Sequence, residues 1–177
     1  MIKEITVHPK PKNKNAVIAF SVSFLLSAAC FVIYSLVDRY KGVIALFGVG
    51  LLVCAILFYT KYISVEFYYD VTFDSEGTPI FVVRQLIGKR QTTLCRVELA
   101  SIYKIEHESA KERSEHKTEA GFVKYVYAPT LFPRESYRIT ACSRYENSEI
   151  IIECSEEFKE LILNYAVEAR KNSDPEE

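Results

Sequence analysis

Three histidines, five cysteines and one short basic cluster are the side chains of this chain with chemistry to offer. His107 and His116 lie near Glu108, Glu112 and Glu115 in the stretch 106–119, EHESAKERSEHKTE. A zinc site needs its donors fixed in a tetrahedral set, and this stretch has almost no apolar residue to hold it on a core. The third histidine, His8, sits in the N-terminal leader. No serine stands in a G-x-S-x-G frame, and a Ser–His or Cys–His dyad would have to take its base from that polar stretch. The six glycines form no phosphate-cradling run. Cys30 and Cys54 fall in apolar runs, which leaves Cys95, Cys142 and Cys154, an odd set without C-x-x-C spacing. Free buried thiols in a reducing compartment are the expectation. The residues therefore point to no enzyme, no metal and no cofactor.

The basic cluster is Arg84, Lys89, Arg90 and Arg96, around a Gly88-Lys89-Arg90 turn. Such a set suits anionic lipid head groups or an acidic protein partner, at about 1 kcal/mol per residue near a charged surface. The competing reading is a solvated hairpin whose charges discourage edge aggregation.

The elements that must carry these residues begin with two uncharged apolar runs, 16–37 and 42–59, split by Asp38-Arg39-Tyr40-Lys41. As helices they reach roughly 33 and 27 Å, which matches a hydrocarbon core of about 30 Å. The expected order is a basic leader 1–15, a membrane helix 16–37, an external loop 38–41, a second helix 42–60, a β-rich domain 63–171 and a polar tail 172–177. Lys3, Lys10, Lys12 and Lys14 precede the first helix and Lys61 follows the second, against Arg39 and Lys41 in the loop. That bias puts both termini in the cytoplasm. A cleaved signal peptide is disfavoured because the apolar run continues past Ser27-Ala28-Ala29-Cys30. Ser23 with Ser27, and Gly50 with Cys54, are small-x-x-x-small pairs that allow close helix approach, within the hairpin or to a second copy. No ionisable residue lies at membrane depth, so the pair reads as an anchor and not as a transport path.

The formal charge of −1 conceals an asymmetry. Residues 1–41 hold six Lys/Arg against two acids, whereas residues 61–177 hold 16 against 21. An acidic soluble part excludes non-specific nucleic-acid binding.

After Tyr62 the apolar period becomes two, and seven strands are expected near 65–73, 80–87, 91–97, 102–106, 122–128, 135–143 and 149–154. Ser155 then caps a helix with Phe158, Leu161, Ile162, Tyr165 and Ala169 on one stripe. This order predicts an antiparallel seven-stranded barrel or sandwich capped by a C-terminal helix. The run Tyr69-Asp70-Val71-Thr72, then 81–88, then Arg96-Val97-Glu98-Leu99-Ala100-Ser101-Ile102 resembles the bacterial, membrane-attached version of the pleckstrin-homology-like fold. The resemblance covers about 63–170 plus the preceding hairpin. It implies a membrane-anchored binding or scaffolding module that engages a protein partner or its own copies. Lipid-binding members of that wider fold carry Lys/Arg in the first hairpin loop, where this chain has Asp74-Ser75-Glu76-Gly77, so phosphoinositide binding is not expected. The alternatives are a membrane-bound sensor or enzyme with a ligand site between the β-domain and the bilayer, and a subunit of a larger membrane complex.

Overall fold

The computed structural model describes residues 3–9, 13–37, 39–109, 118, 120–130, 135–143 and 146–173. The chain divides into two compact units, 12–65 and the combination of 1–11 with 66–177.

The first unit is a helical hairpin. Helix α1 (Lys14–Leu36) and helix α2 (Lys41–Phe58) are joined at Tyr40, whose φ of 70° is left-handed. The Tyr40 carbonyl accepts from the amides of Val43 and Ile44 and so starts α2. A π-helical turn, Tyr59–Ile63, extends α2. The helices meet on small residues: Ala16 and Ser27 are buried on α1, Gly48 and Ala55 on α2. Ser27 Oγ donates to the Gly48 carbonyl at 2.8 Å. A Cβ built on Gly48 would stand 3.2 Å from Cys30 Cβ, a tight contact that would push the helices apart by a few tenths of an ångström. Asn13 Nδ2 donates to the Tyr62 carbonyl at 2.6 Å and ties the open end together. The bulky side chains point outward, among them Leu25, Leu36, Leu46 and Phe47, each more than 60% exposed.

The second unit holds two four-stranded sheets and a helix. The first sheet runs β1 (Ile5–Val7), β2 (Val65–Phe73), β3 (Pro79–Ile87), β4 (Arg90–Glu98). A 3₁₀ turn, Leu99–Ser101, carries the chain to the second sheet. That sheet contains β5 (Ile102–His107), β6 (Phe122–Tyr127), β7 (Ser136–Cys142) and β8 (Asn147–Glu153), in the order β5-β7-β8-β6. Helix α3 (Glu156–Ser173) closes the chain.

Three expectations need correction. There are eight described strands where seven were expected, because the leader supplies β1. Its residues Ile5, Thr6 and Val7 are β-branched and pair antiparallel with Val71, Asp70 and Tyr69. The sheets are not wholly antiparallel, since β6 runs parallel to β8. Among the described residues the two sheets do not close into a barrel.

The core lies where alternation puts it. Val65, Phe67, Tyr69 and Val71 of β2 are buried. Tyr69 stacks on Phe158 at 6.5 Å and donates its hydroxyl to the Tyr127 carbonyl at 2.7 Å. Ser155 Oγ accepts from the Phe158 amide, as an N-cap should. The expected stripe of α3 is buried at Phe158, Ile162 and Ala169, with Ala166 added. Glu108 departs from the expectation of a solvated stretch: it is 2% exposed and takes a hydrogen bond from Arg138. The remainder of that stretch, residues 110–117 and 119, lies outside the described residues, as does Pro133.

Candidate functional site

A recess on the β-rich unit opens on the polar face of the first sheet. It is a cleft of about 390 Å³ with Glu4, Thr6 of β1, Asp70 and Thr72 of β2, and Arg84 of β3 in its walls. Thr93 and Arg96 of β4, Ile80 and Val82 of β3, and Val71, Phe73 and Asp74 complete it. Strand geometry explains most of this. On β2 the residues alternating with the core set, including Asp70 and Thr72, must face the other way. Thr6 lies beside Asp70 in the β1–β2 register.

β4 needs one more device. Thr93 and Arg96 are three residues apart, an odd interval that would send them to opposite faces of a regular strand. A bulge resolves this: Val83 pairs with Cys95, Arg84 pairs with Thr93, and Leu94 is left over. The extra residue brings both side chains to the cleft.

At the centre is Asp70, 3% exposed. Arg84 Nε donates to its Oδ2. That bond raises the Arg84 guanidinium further above its ordinary range, and burial pulls in the opposite direction. With its amide oxygen turned toward Arg84, Gln91 accepts from Arg84 Nη1 at 3.0 Å. The second carboxylate oxygen, Oδ1, is buried and has no hydrogen-bond partner among the described residues. Thr72 Oγ1 donates to Glu4 Oε1 at 3.1 Å and holds that carboxylate at the rim.

Comparison of the chain with protein families, with curated proteins and with solved structures returns no match. Geometry and electrostatics therefore carry the functional reading.

The structure separates the four basic residues singled out in the sequence. Arg84 and Arg96 reach the cleft; Lys89 and Arg90 stay exposed on the β3–β4 turn, where Gly88 takes a φ of +61°. Arg84 is neutralised by Asp70, so three cations remain for an outside partner. Of the helix-packing residues, Ser27 lies in the hairpin seam and Ser23 is half-buried, while Gly50 and Cys54 face outward from α2. Gly48, two residues from Gly50, is the glycine at the seam. Sequence reasoning missed Asp70, Glu4 and Gly48. The available signal for Asp70 was a carboxylate in the middle of a nine-residue strand, a costly place to leave a charge without a partner.

The Cys95 and Cys154 thiols stay protonated near neutral pH. Burial pushes Cys95 up to about 11 and Cys154 up to about 12. Neither is a ready nucleophile. His107 lies edge-on to Tyr137, and His8 contacts Glu66 at 3.4 Å and the edge of Tyr68 at 4.5 Å. Among the described residues no three His, Cys, Asp or Glu side chains gather to hold a metal. What the cleft offers is directional acceptors on one side and a guanidinium on the other, the equipment of a binding site.

Proposed function

We propose that the chain is an integral membrane protein whose hairpin anchors the β-rich unit at the cytoplasmic face of the cell membrane. There the β-rich unit works as a non-enzymatic binding or scaffolding module of the pleckstrin-homology-like type and engages a protein partner. The observation that carries this reading is the outer surface of the hairpin. Both helices are long and apolar enough to cross a bilayer, and most of their large side chains face outward while the residues buried in the seam are small. An apolar surface of that extent needs lipid or protein against it. The strand order favours termini on one side: β1 precedes the hairpin, β2 follows it, and the two pair in one sheet. The excess of Lys over acids beside that end supports the cytoplasmic side.

Phosphoinositide and nucleic-acid binding are not part of the proposal, since the first hairpin turn and the β-rich unit are acidic. The outward-facing Gly50 and Cys54 leave self-association through α2 as a further possibility for the partner surface. Topology is tested with an impermeant thiol reagent on intact cells. In a background without the other cysteines, Tyr40→Cys labels from outside and the exposed native Cys142 labels only after permeabilisation. Labelling of Cys142 from outside overturns the orientation, and recovery of full-length protein in the soluble fraction overturns the anchor. Affinity capture from native membranes, with and without residues 110–119, which spares β5 and buried Glu108, then finds the partner and tests whether that stretch recruits it.

A further inference from the structure

We propose that the cleft on the polar face of the first sheet binds a small zwitterion, with its ammonium on Asp70 and Glu4 and its oxyanion on Arg96. The proposal uses the β-rich unit alone and stands whatever the membrane topology.

Three observations carry it. Asp70 is 97% buried in the cleft wall, and its Oδ1 has no partner among the described residues. A buried acceptor left in that state calls for a donor. Its other oxygen accepts from Arg84 Nε, so Oδ1 is the oxygen left for a ligand. Second, Arg96 is exposed and has no ion pair among the described residues. The bulge that unmatches Leu94 puts its side chain into this cleft. Third, the charges are polarised. Glu4 stands just ahead of β1, Asp70 on β2 and Arg96 on β4. Strands β2 and β4 are two inter-strand spacings apart, about 10 Å between backbones. The long side chain of Arg96 shortens that gap to the span of a ligand with separated opposite charges.

Arg84 completes the arrangement as a movable neighbour. About a third of its side chain is exposed, and Gln91 gives its fork a second acceptor. Oδ1 itself has almost no exposed surface, so the ammonium reaches it by shifting Arg84, whose fork keeps Gln91 as an acceptor. The carboxylates discriminate against a bare anion, and Arg96 against a bare amine. The volume of about 390 Å³ lies in the lower range of ligand sites, roughly 300–1,000 Å³. The same chemistry is found in free aminoalkyl phosphates and in the head group of phosphatidylethanolamine.

The test is calorimetric titration of the full-length protein in detergent with O-phosphoethanolamine, ethanolamine and inorganic phosphate. The zwitterion is expected to bind at least tenfold more tightly than either fragment. Asp70→Asn, which keeps an acceptor for Arg84, and Arg96→Gln should each weaken it about tenfold. Arg90→Gln, on the turn outside the cleft, should leave it unchanged. If Asp70→Asn fails to fold, Glu4→Gln and Arg96→Gln serve instead. Repeating the titration in nanodiscs separates the sources: competition by phosphatidylethanolamine bilayers identifies the lipid head group, and undiminished affinity identifies the free compound. Equal binding of zwitterion and fragments, no binding to folded protein, or binding indifferent to both cleft variants overturns the proposal.

Discussion

Glu108 and Arg138 show how much one buried pair can demand. The Glu108 side chain is 1% exposed and that of Arg138 11%. The Glu108 amide also donates to the Ser136 carbonyl, and the Ser136 hydroxyl donates to the Glu108 carbonyl. Removing one charge leaves the other buried, which costs about 3–5 kcal/mol, whereas replacing both with apolar residues of similar size is close to neutral. Glu108→Ala is therefore expected to lower the denaturation midpoint sharply, and Glu108→Leu with Arg138→Met to restore most of it. A double variant as unstable as the single one counts against this account. The thiols set an alkaline limit. Cys154 is lifted from its ordinary 9.0 to about 12 by burial. The unfolded thiol ionises first, so its contribution to stability is complete below about pH 9 and is lost as pH rises toward 12. Native Cys154 should resist iodoacetamide at pH 8 while exposed Cys142 reacts. Rapid modification of both would contradict the burial.

At the scale of elements, the hairpin seam and the first sheet edge make separate demands. Gly48 lies at the closest approach of α1 and α2, and the position of Gly50 opens to empty space. Gly48→Val should loosen the hairpin by about 1–3 kcal/mol through overpacking. Gly50→Val should stay within about 0.5 kcal/mol. Thermal unfolding in detergent distinguishes them, and equal losses would misplace the seam. Strand β1 is three residues long and stands at a sheet edge. Thr6→Pro removes an amide and should release the strand. Faster hydrogen exchange in β2, with α3 unaffected, is the expected signature.

For the whole molecule, the legible parts were those with a long local pattern. Two uncharged runs announced α1 and α2, strict alternation announced β2, and the stripe from Phe158 to Ala169 announced α3. The structure departs where the deciding contact is remote or a single residue wide. β1 is too short to show a period, and its partner lies beyond the hairpin. The parallel pairing of β6 with β8 leaves no mark on either strand alone. One unmatched residue, Leu94, decides which side chains of β4 share a face. Asp70 and Arg84 belong to neighbouring strands, and nothing in their spacing declares the bond between them.

The β1–β2 pairing also sets an order of events at the ribosome. Ile5–Val7 is made before its partners, which lie roughly sixty residues downstream. At about 5–20 residues per second, the nascent strand waits several seconds with its edge unsatisfied. Throughout that interval the two apolar segments that separate it from β2 are being synthesised. Until β2 exists, the backbone groups of Ile5–Val7 that will face it have only water to bond, and any slowing of synthesis across the helices lengthens that wait. A bulky fusion placed close ahead of β1 would therefore trouble biogenesis sooner than it troubles the finished fold.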